Sequence, residues 1–354
     1  MNLVDELKKN PFVLAPMAGI TDNAFRGFMK DMGVGIVVSE LVSAHGISHK
    51  GKRTLDLLRF DNKQRPVGMQ LFGEDPGIVA EAAKYVEDLG VDFIDLNFGC
   101  PVPKVVKKGA GSAMLKDLKA MAEMLSKTKS AISIPLTIKI RTGWDQSTRN
   151  ASEVAHLAYE EGITWVAIHG RTRAQGYTGS ADWEYIKKVK ETAKVPILGN
   201  GDIHSAEDAN QKLNSTGCDG VLIGRGCLKN PWIFLEARGQ RGQRELPGDT
   251  VPSSGRPGAP TSTGRTTENF SDLFTNLFEH LVVNCDERVL AVQYRKFAVW
   301  FSSGYPGASS FRKALFLTNS IEDLKGIVDH YFMSLRLNAQ ADTSGEAFLM
   351  GGHG

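Results

Sequence analysis

Eight short, almost continuously apolar runs recur through the first two thirds of the sequence and constrain its fold more than any other feature. Such runs are typical of parallel strands covered on both faces. Amphipathic helical segments separate them, for example at residues 78–89, 151–161 and 183–192. Eight β/α units in about 230 residues predict a (β/α)8 barrel over residues 1–237, with an open doubly wound sheet as the alternative. The predicted strands are residues 13–17, 36–41, 67–72, 93–98, 136–141, 165–169, 197–200 and 221–225.

The composition changes after residue 237. Residues 238–269 are rich in Gly, Pro, Ser, Thr and Arg, with Leu246 and Val251 as the only large aliphatic residues, which predicts a flexible linker. Residues 270–336 then show helical periodicity and predict a small bundle of four helices. These helices are expected at residues 270–282, at 288–301, from about Ser309, and after a capping box of Ser320 and Asp323. The polar, Gly-rich residues 337–354 predict a disordered tail.

Bulk properties exclude few functions. The net charge of +2 neither requires nor excludes a nucleic-acid partner, since a local basic face is averaged out. The four cysteines form no C-x-x-C pair, which favours free thiols in a reducing cytoplasm. The charged N-terminus is unlike a signal peptide, and no apolar run approaches the roughly 20 residues that span a bilayer. These observations favour a cytoplasmic location and no membrane segment. We also expect a monomer without a metal site or an obligate protein partner.

Polar or glycine residues follow seven of the eight predicted strands. Active sites of (β/α)8 barrels lie at these strand ends. A single polar exit is usually a backbone cap, but seven at one barrel mouth predict a site for a large polar ligand. Two late exits, Asn200-Gly201-Asp202 and Gly224-Arg225-Gly226, occupy the positions where barrels commonly bind phosphate.

Three side chains at the predicted mouth carry candidate chemistry. Lys139 is either a structural ion-pair lysine or a cation beside an electron-rich cofactor ring. His169 is either structural or a donor to the same ring. Cys100 lies on a Gly-Cys-Pro turn. It is either a small buried apolar residue or a thiol able to donate a proton, since its ordinary pKa of about 8.5 keeps it protonated at neutral pH.

Five motifs together resemble the tRNA-dihydrouridine synthases, and among them the bacterial B-type members. The motifs are Ala15-Pro16-Met17-Ala18-Gly19-Ile20-Thr21-Asp22, Asp95-Leu96-Asn97-Phe98-Gly99-Cys100-Pro101, Lys139-Ile140-Arg141, His169-Gly170-Arg171-Thr172 and Asn200-Gly201-Asp202-Ile203. The resemblance covers residues 3–237 and 270–336, and the Asn-Phe-Gly-Cys-Pro stretch is its most specific part.

The resemblance implies FMN in the barrel mouth and NADPH as its reductant. The implied cofactor-binding residues are Pro16, Met17, Ala18, Gln70, Lys139, His169, Asn200, Gly201, Asp202, Gly224 and Arg225. Asn97, Arg141 and Tyr177 are implied to contact the target uracil. The flavin would pass a hydride to C6, and Cys100 would protonate C5. The target base must be flipped out of its stack, which favours a D-loop uridine, expected at position 17.

The helical domain is implied to bind the rest of the tRNA. Arg295, Lys296 and Arg312 are the expected phosphate contacts, with a solvated helix face as the alternative. The aromatic residues of this domain are expected mainly in its core. The chain departs from the family at Phe297, where His is expected, and in the long segment 238–269, which loosens the expected angle between the domains.

Two other functions remain open from the sequence. One is oxidation of a free pyrimidine, as in dihydroorotate dehydrogenases, which also use a flavin, a Lys and a Cys or Ser. The other is tRNA binding without catalysis. The additional helical domain argues against the first, and the complete set of Cys100, Lys139 and His169 argues against the second.

Overall fold

Eight parallel strands close into a barrel in the computed structural model, which describes residues 2–245 and 267–335. Each strand pairs with the next along the chain, and β1 pairs with β8, with Val13 opposite Leu222. This closure confirms the (β/α)8 barrel and contradicts the open sheet. The strands are β1 (Phe12–Leu14), β2 (Ile36–Ser43), β3 (Val67–Phe72), β4 (Phe93–Phe98), β5 (Leu136–Arg141), β6 (Val166–His169), β7 (Ile197–Asn200) and β8 (Gly220–Ile223).

The first and last strands end earlier than the sequence predicts. The amide of Ala15 still donates to Ile223 O (2.9 Å), but Pro16 has no N–H and the ladder stops. At the end of β8, Gly224 O accepts from the Cys227 amide (3.1 Å), so Gly224 and Arg225 already form a turn. Both polar exits therefore lie in loops at the barrel mouth.

Sixteen α-helices are present in the described part of the chain. They are α1 (Leu3–Lys9), α2 (Asn23–Asp31), α3 (Ala44–Ser48), α4 (Lys52–Asp56), α5 (Pro76–Asp88), α6 (Pro103–Val106), α7 (Leu118–Ala131), α8 (Ala151–Glu160), α9 (Trp183–Thr192), α10 (Ala206–Thr216), α11 (Gly226–Lys229), α12 (Ile233–Glu245), α13 (Thr267–Asn284), α14 (Glu287–Phe301), α15 (Ala308–Leu315) and α16 (Ile321–Ser334). Among the described residues, no helix is both long enough and apolar enough to cross a membrane.

Large side chains fill the barrel interior on its N-terminal side. Phe93 and Trp165 meet edge to face with ring centroids 5.2 Å apart, and Leu3 and Leu7 of α1 pack in the same cluster. A Cβ at residue 68 would lie 2.3 Å from the Phe93 ring, so only Gly68 leaves room for it. The interior is therefore a packed core, and the opposite, C-terminal end remains for a site.

The four predicted helices of the C-terminal domain are present as α13 to α16. Ser320 caps α16 by accepting from the Asp323 amide (3.2 Å), as the capping-box pattern predicts. Tyr294 and Phe301 are buried, which confirms that aromatic residues form the bundle core. Val282 is 49% exposed, so the apolar face of α13 is narrower than the sequence indicates.

The helical domain packs directly on α2 of the barrel. Phe297 stacks on Phe25 with ring centroids 5.1 Å apart and an interplanar angle of 7°. His280 contacts Asp31 (Nε2–Oδ2, 2.7 Å) at the same interface. The apolar ring at position 297, where the resemblance predicts His, thus packs in the interface between the two domains. This packing fixes the domain angle that the segment 238–269 left open.

Both ends of the segment predicted as a linker are helical. Residues 238–245 continue α12, and residues 267–269 begin α13. Residues 246–266 of that segment and the predicted tail at 337–354 lie outside the described residues.

Candidate active site at the barrel mouth

A chain of hydrogen bonds connects the barrel interior to the Cys100 turn. Thr137 Oγ1 donates to Asp95 Oδ1 (2.7 Å), and Gln70 Nε2 donates to Asp95 Oδ2 (2.6 Å). Asn97 Nδ2 donates to Gln70 Oε1 (2.8 Å), and Asn97 Oδ1 accepts from the Cys100 amide (2.8 Å). Because an ionised carboxylate only accepts hydrogen bonds, Asp95 sets the orientation of both amide groups.

Cys100 lies on the loop after β4, and its surroundings favour the protonated thiol. Burial raises the pKa of the Cys100 thiol, opposed by a backbone hydrogen bond from Val102 and by Arg141 and Lys139. Its carbonyl accepts from the amide (3.1 Å) and the hydroxyl (2.8 Å) of Ser112, which holds the turn from the other side. At neutral pH this side chain can donate a proton rather than act as a thiolate.

Cations dominate the wall of the mouth around His169. The pKa of His169 lies well below its ordinary range, mainly because the side chain is buried and next because positive charges surround it. Its imidazole is therefore neutral at pH 7. The cations responsible are Arg141, Lys139, Arg171 and Arg225. Such a concentration of positive charge in a concave site favours an anionic ligand.

Lys139 makes no hydrogen bond or ion pair with the residues that the structure describes, so the ion-pair alternative finds no support there. Burial and Arg141 lower the pKa of Lys139 to about 8, against the attraction of Asp95 and Cys100. The ammonium is therefore charged for most molecules at neutral pH and is available to a ligand.

Tyr177 stands at the rim of the mouth between two arginines. The Cζ atoms of Arg141 and Arg225 lie 5.5 and 5.2 Å from the centroid of its ring, and the His169 ring lies 6.4 Å away. Its side chain is 41% exposed, which leaves a ring face available for stacking. The sequence-predicted residues Tyr177, Arg141, His169 and Arg225 are thus brought together.

Arg141 is buried and uses much of its guanidinium within the chain. Its Nε donates to Gly99 O (2.9 Å), and its Nη1 donates to Thr172 O (3.0 Å) and Gly176 O (2.7 Å). These bonds tie the loop after β4 to the loop after β6. Arg141 therefore positions both Cys100 and Tyr177, whatever contact it also makes with a substrate.

The loop after β7 is held by an ion pair that sequence reasoning did not assign. Arg171 forms two parallel contacts with Asp202 (Nη1–Oδ1, 2.7 Å; Nη2–Oδ2, 2.9 Å), and the Ala181 amide donates to the same carboxylate (2.7 Å). Burial would raise the pKa of Asp202, but the hydrogen bonds from Arg171 and Ala181 lower it below its ordinary value. The Asp202 side chain thus orders loops, and its carboxylate is already bonded within the chain.

Glycines allow the backbone to pack closely beside this ion pair. Gly201 has φ +120°, and a Cβ there would lie 2.9 Å from the His169 ring. A Cβ at Gly224 would lie 3.7 Å from Ala15 Cβ and from Met17 Sδ. Asn200 Nδ2 donates to Leu222 O (2.9 Å), which joins β7 to β8. The loops after β1, β7 and β8 therefore meet around one concave surface.

The loop after β1 contains Pro16, Met17 and Ala18. The Met17 amide donates to Thr21 Oγ1 (3.0 Å), and Met17 O accepts from the Thr21 amide (3.0 Å), which closes the loop on itself. Ala18 and Gly19 at its tip are exposed. The backbone of this loop can therefore line a ligand in the mouth.

Arg295 and Lys296 of α14 make contacts within the chain. Arg295 Nη2 donates to Thr318 O (2.6 Å) and to Asn319 Oδ1 (2.9 Å), inside the helical domain. Lys296 Nζ donates to Gly19 O (2.9 Å), on the barrel. Arg312 is half-buried on α15. Lys296 therefore already has one acceptor within the chain, and its phosphate contact stays a prediction.

Sequence reasoning did not single out three buried charged residues of the site: Asp95, Arg171 and Glu40. All three are buried: Asp95 lies within β4, Glu40 lies within β2, and Arg171 follows the end of β6. A buried charge is costly unless it is paired or hydrogen-bonded, so a carboxylate inside an apolar run is the signal that could have found Asp95 and Glu40. Arg171 lies outside such a run and had no comparable local signal.

Comparisons with known proteins identify relatives of this chain. A family model described as dihydrouridine synthase matches residues 13–334. The tRNA-dihydrouridine synthase B of Pseudomonas aeruginosa is 39% identical over 304 residues, which cover 86% of this chain and 87% of that protein. A protein of Rickettsia conorii named "Probable tRNA-dihydrouridine synthase" is 36% identical over 333 residues, covering 93% of this chain and 95% of that protein.

A solved structure shares the architecture at low sequence identity. Histamine dehydrogenase from Rhizobium sp. 4-9 superposes with a TM-score of 0.51 and 15% identity, covering 77% of this chain and 49% of that chain. At this identity the similarity extends to the fold alone.

Proposed function

This chain belongs to the dihydrouridine synthase family, and from that premise we propose that it reduces a uridine of tRNA to 5,6-dihydrouridine. The observation that carries the proposal is the relay from Asp95 through Gln70 and Asn97 to Cys100, in the mouth that Lys139 also faces. It places a protonated thiol beside a cationic site. The likeness to B-type relatives supports position 17 of the D-loop as the target.

The mouth fits FMN as the cofactor. Lys139 offers an ammonium without a partner among the described residues. Gly201 lets the loop after β7 pack closely against His169, and Gly224 leaves space beside Ala15 and Met17 that a Cβ would fill. Arg225 supplies a guanidinium beside that space, which suits a phosphate. Pro16, Met17, Ala18, Gln70, His169, Asn200 and Asp202 would complete the binding site. When bound, FMN supplies the hydride, with NADPH proposed as its reductant.

The chain's own residues would orient the base and supply the proton. Cys100 would donate its Sγ proton to C5 of the uracil, and the Asn97 contact to the Cys100 amide would keep the thiol in place. Tyr177 would stack on the flipped base, with Arg141 holding the Tyr177 loop against the Cys100 loop. Neutral His169 would be able to donate one hydrogen bond without adding charge.

Replacing Lys139 should weaken flavin binding. In Lys139→Met we expect the Kd for FMN to rise about 10- to 100-fold, because a charge-assisted hydrogen bond is worth about 1.5–3 kcal/mol. The wild-type affinity should fall as the pH rises above about 8, since the ammonium is protonated below that value and neutral above it. Fluorescence titration of the apoprotein with FMN measures both effects.

Lys119→Met is the matched control, because Lys119 is exposed on α7, outside the barrel mouth. It should bind FMN as the wild type does. An unchanged Kd and an unchanged pH profile in Lys139→Met would remove Lys139 from the cofactor site.

The proposed function is tested by mass spectrometry of dihydrouridine in unmodified tRNA after incubation with the purified protein and NADPH. Product at a single mapped uridine supports both the reaction and its target. A yellow, NADPH-reducible protein that forms no dihydrouridine would instead favour action on a free pyrimidine, which is tested by adding dihydroorotate. A protein that binds tRNA but takes up no flavin would favour the non-catalytic alternative.

A further inference from the structure

The backbone of Gly19 is hydrogen-bonded to side chains of two different domains. Its N–H donates to the carboxylate of Glu40 on β2, and its carbonyl accepts from Lys296 Nζ on α14 (2.9 Å). Gly19 lies at the tip of the loop after β1, two residues beyond Met17. Both polar groups of one loop residue are therefore bonded to charged side chains, one from the barrel and one from the helical domain.

We propose that Lys296 and Glu40 are positioning residues that fix the loop after β1, so that the helical domain is a structural part of the cofactor site. What the loop touches rests on the proposed function. That the two side chains fix the loop rests on the hydrogen bonds alone.

The tip of the loop has little else to hold it. Its C-terminal side is anchored, since the amides of Ile20 and Thr21 donate to Met17 O (3.1 and 3.0 Å) and Arg26 Nη1 donates to Thr21 O (2.7 Å). Ala18 and Gly19 are exposed, and a Cβ at Gly19 would meet no atom within 4 Å. With so few packing contacts at Ala18 and Gly19, the two hydrogen bonds of Gly19 attach this turn to β2 and to the helical domain.

Lys296 is placed rigidly enough to act in this way. The next residue, Phe297, is fully buried and stacked on Phe25, which locks α14 onto the barrel. The Lys296 ammonium lies 5.0 and 5.1 Å from the ring centroids of Phe297 and Trp300. Burial lowers the pKa of Lys296, while Asp22 and Glu40 oppose this and favour the charged form. The side chain is thus directed at the barrel loop by its own surroundings.

Glu40, on β2, accepts the hydrogen bond from the N–H of Gly19. Burial raises the pKa of the Glu40 carboxyl, against the hydrogen bond from Gly19 and the charges of Arg26 and Lys296. A buried carboxylate needs such donors to remain ionised. Gly19 therefore lies between opposite charges, with its N–H bonded to the carboxylate and its C=O bonded to the ammonium.

Hydrogen–deuterium exchange of the peptide that covers residues 15–22 tests the proposal. In Lys296→Met we expect exchange there to be about tenfold faster, because one charge-assisted hydrogen bond is lost. FMN should bind about tenfold more weakly, with the tRNA affinity of the flavin-loaded protein changed less. Lys296→Arg should recover part of both losses. Glu40→Ala should speed exchange and weaken FMN binding as Lys296→Met does. Glu40→Gln, which keeps a hydrogen-bond acceptor, should show smaller effects on both.

Lys313→Met is the control, because it removes an exposed charge of the helical domain from α15, a different helix from that of Lys296. It should leave exchange and FMN binding unchanged. Unchanged exchange in Lys296→Met, or a loss confined to tRNA affinity, would overturn the proposal and make Lys296 a phosphate contact.

The exchange measurement needs neither flavin nor tRNA, so the two proposals fail separately. Faster exchange in Lys296→Met from a protein that takes up no FMN would support the positioning role and sink the proposed function. Unchanged exchange in Lys296→Met, together with normal flavin binding and turnover, would overturn the positioning role and support the proposed function.

Discussion

Cys100→Ala should form dihydrouridine at least about 100-fold, and up to 10,000-fold, more slowly than the wild type while remaining yellow. The range is the usual contribution of a positioned general acid. Burial keeps the Cys100 thiol protonated at neutral pH, so it can donate its proton. Flavin should be retained, because the cationic wall formed by Lys139 and Arg225 is untouched. Single-turnover assays with pre-reduced protein and unmodified tRNA, read by mass spectrometry, measure the effect.

Cys218→Ala provides the matched control for this substitution. Cys218 is buried just before β8, at the opposite end of that strand from the mouth, and should be neutral for the chemical step. A Cys100→Ala protein that purifies without flavin would show that the residue is structural. One that turns over at the wild-type rate would show that the proton comes from elsewhere.

The barrel could be predicted because its determinants are local. Strands apolar along their whole length have few other architectures available, and helical periodicity between them fixes the order of elements. The ends of β1 and β8 were placed too late because an apolar run does not show where ladder bonding stops. Pro16 and Gly224, which end the two ladders, stood in the sequence but were counted as strand.

The candidate site could be located from sequence, but its internal bonding could not. Strand exits follow from topology, whereas the partner of a charged side chain depends on loops far apart in sequence. Arg171 and Asp202 are 31 positions apart, and Gly19 and Lys296 are 277 apart. Asp95 had a local signal, since it shares a strand face with Asn97 and is a carboxylate in an apolar run.

Arg171→Met should produce the largest loss of stability among the site variants. Arg171 donates to Thr178 O (3.2 Å), to Gly179 O (2.5 Å) and twice to Asp202, and its side chain is only 5% exposed. Its removal leaves a partly buried carboxylate without its cation, which costs about 3 kcal/mol. The unfolding midpoint should fall by about 4 °C in a calorimetric scan.

The double variant Arg171→Met/Asp202→Asn distinguishes the ion pair from the packing of the arginine. Asn tolerates the positive φ of residue 202 (+49°) and carries no charge that needs a partner. If the stranded charge causes the loss, the double variant should be more stable than Arg171→Met alone. Equal stability of the two would assign the loss to the bonds with Thr178 and Gly179 instead. In either case the loop bearing Tyr177 should loosen, so tRNA turnover should fall further than FMN affinity.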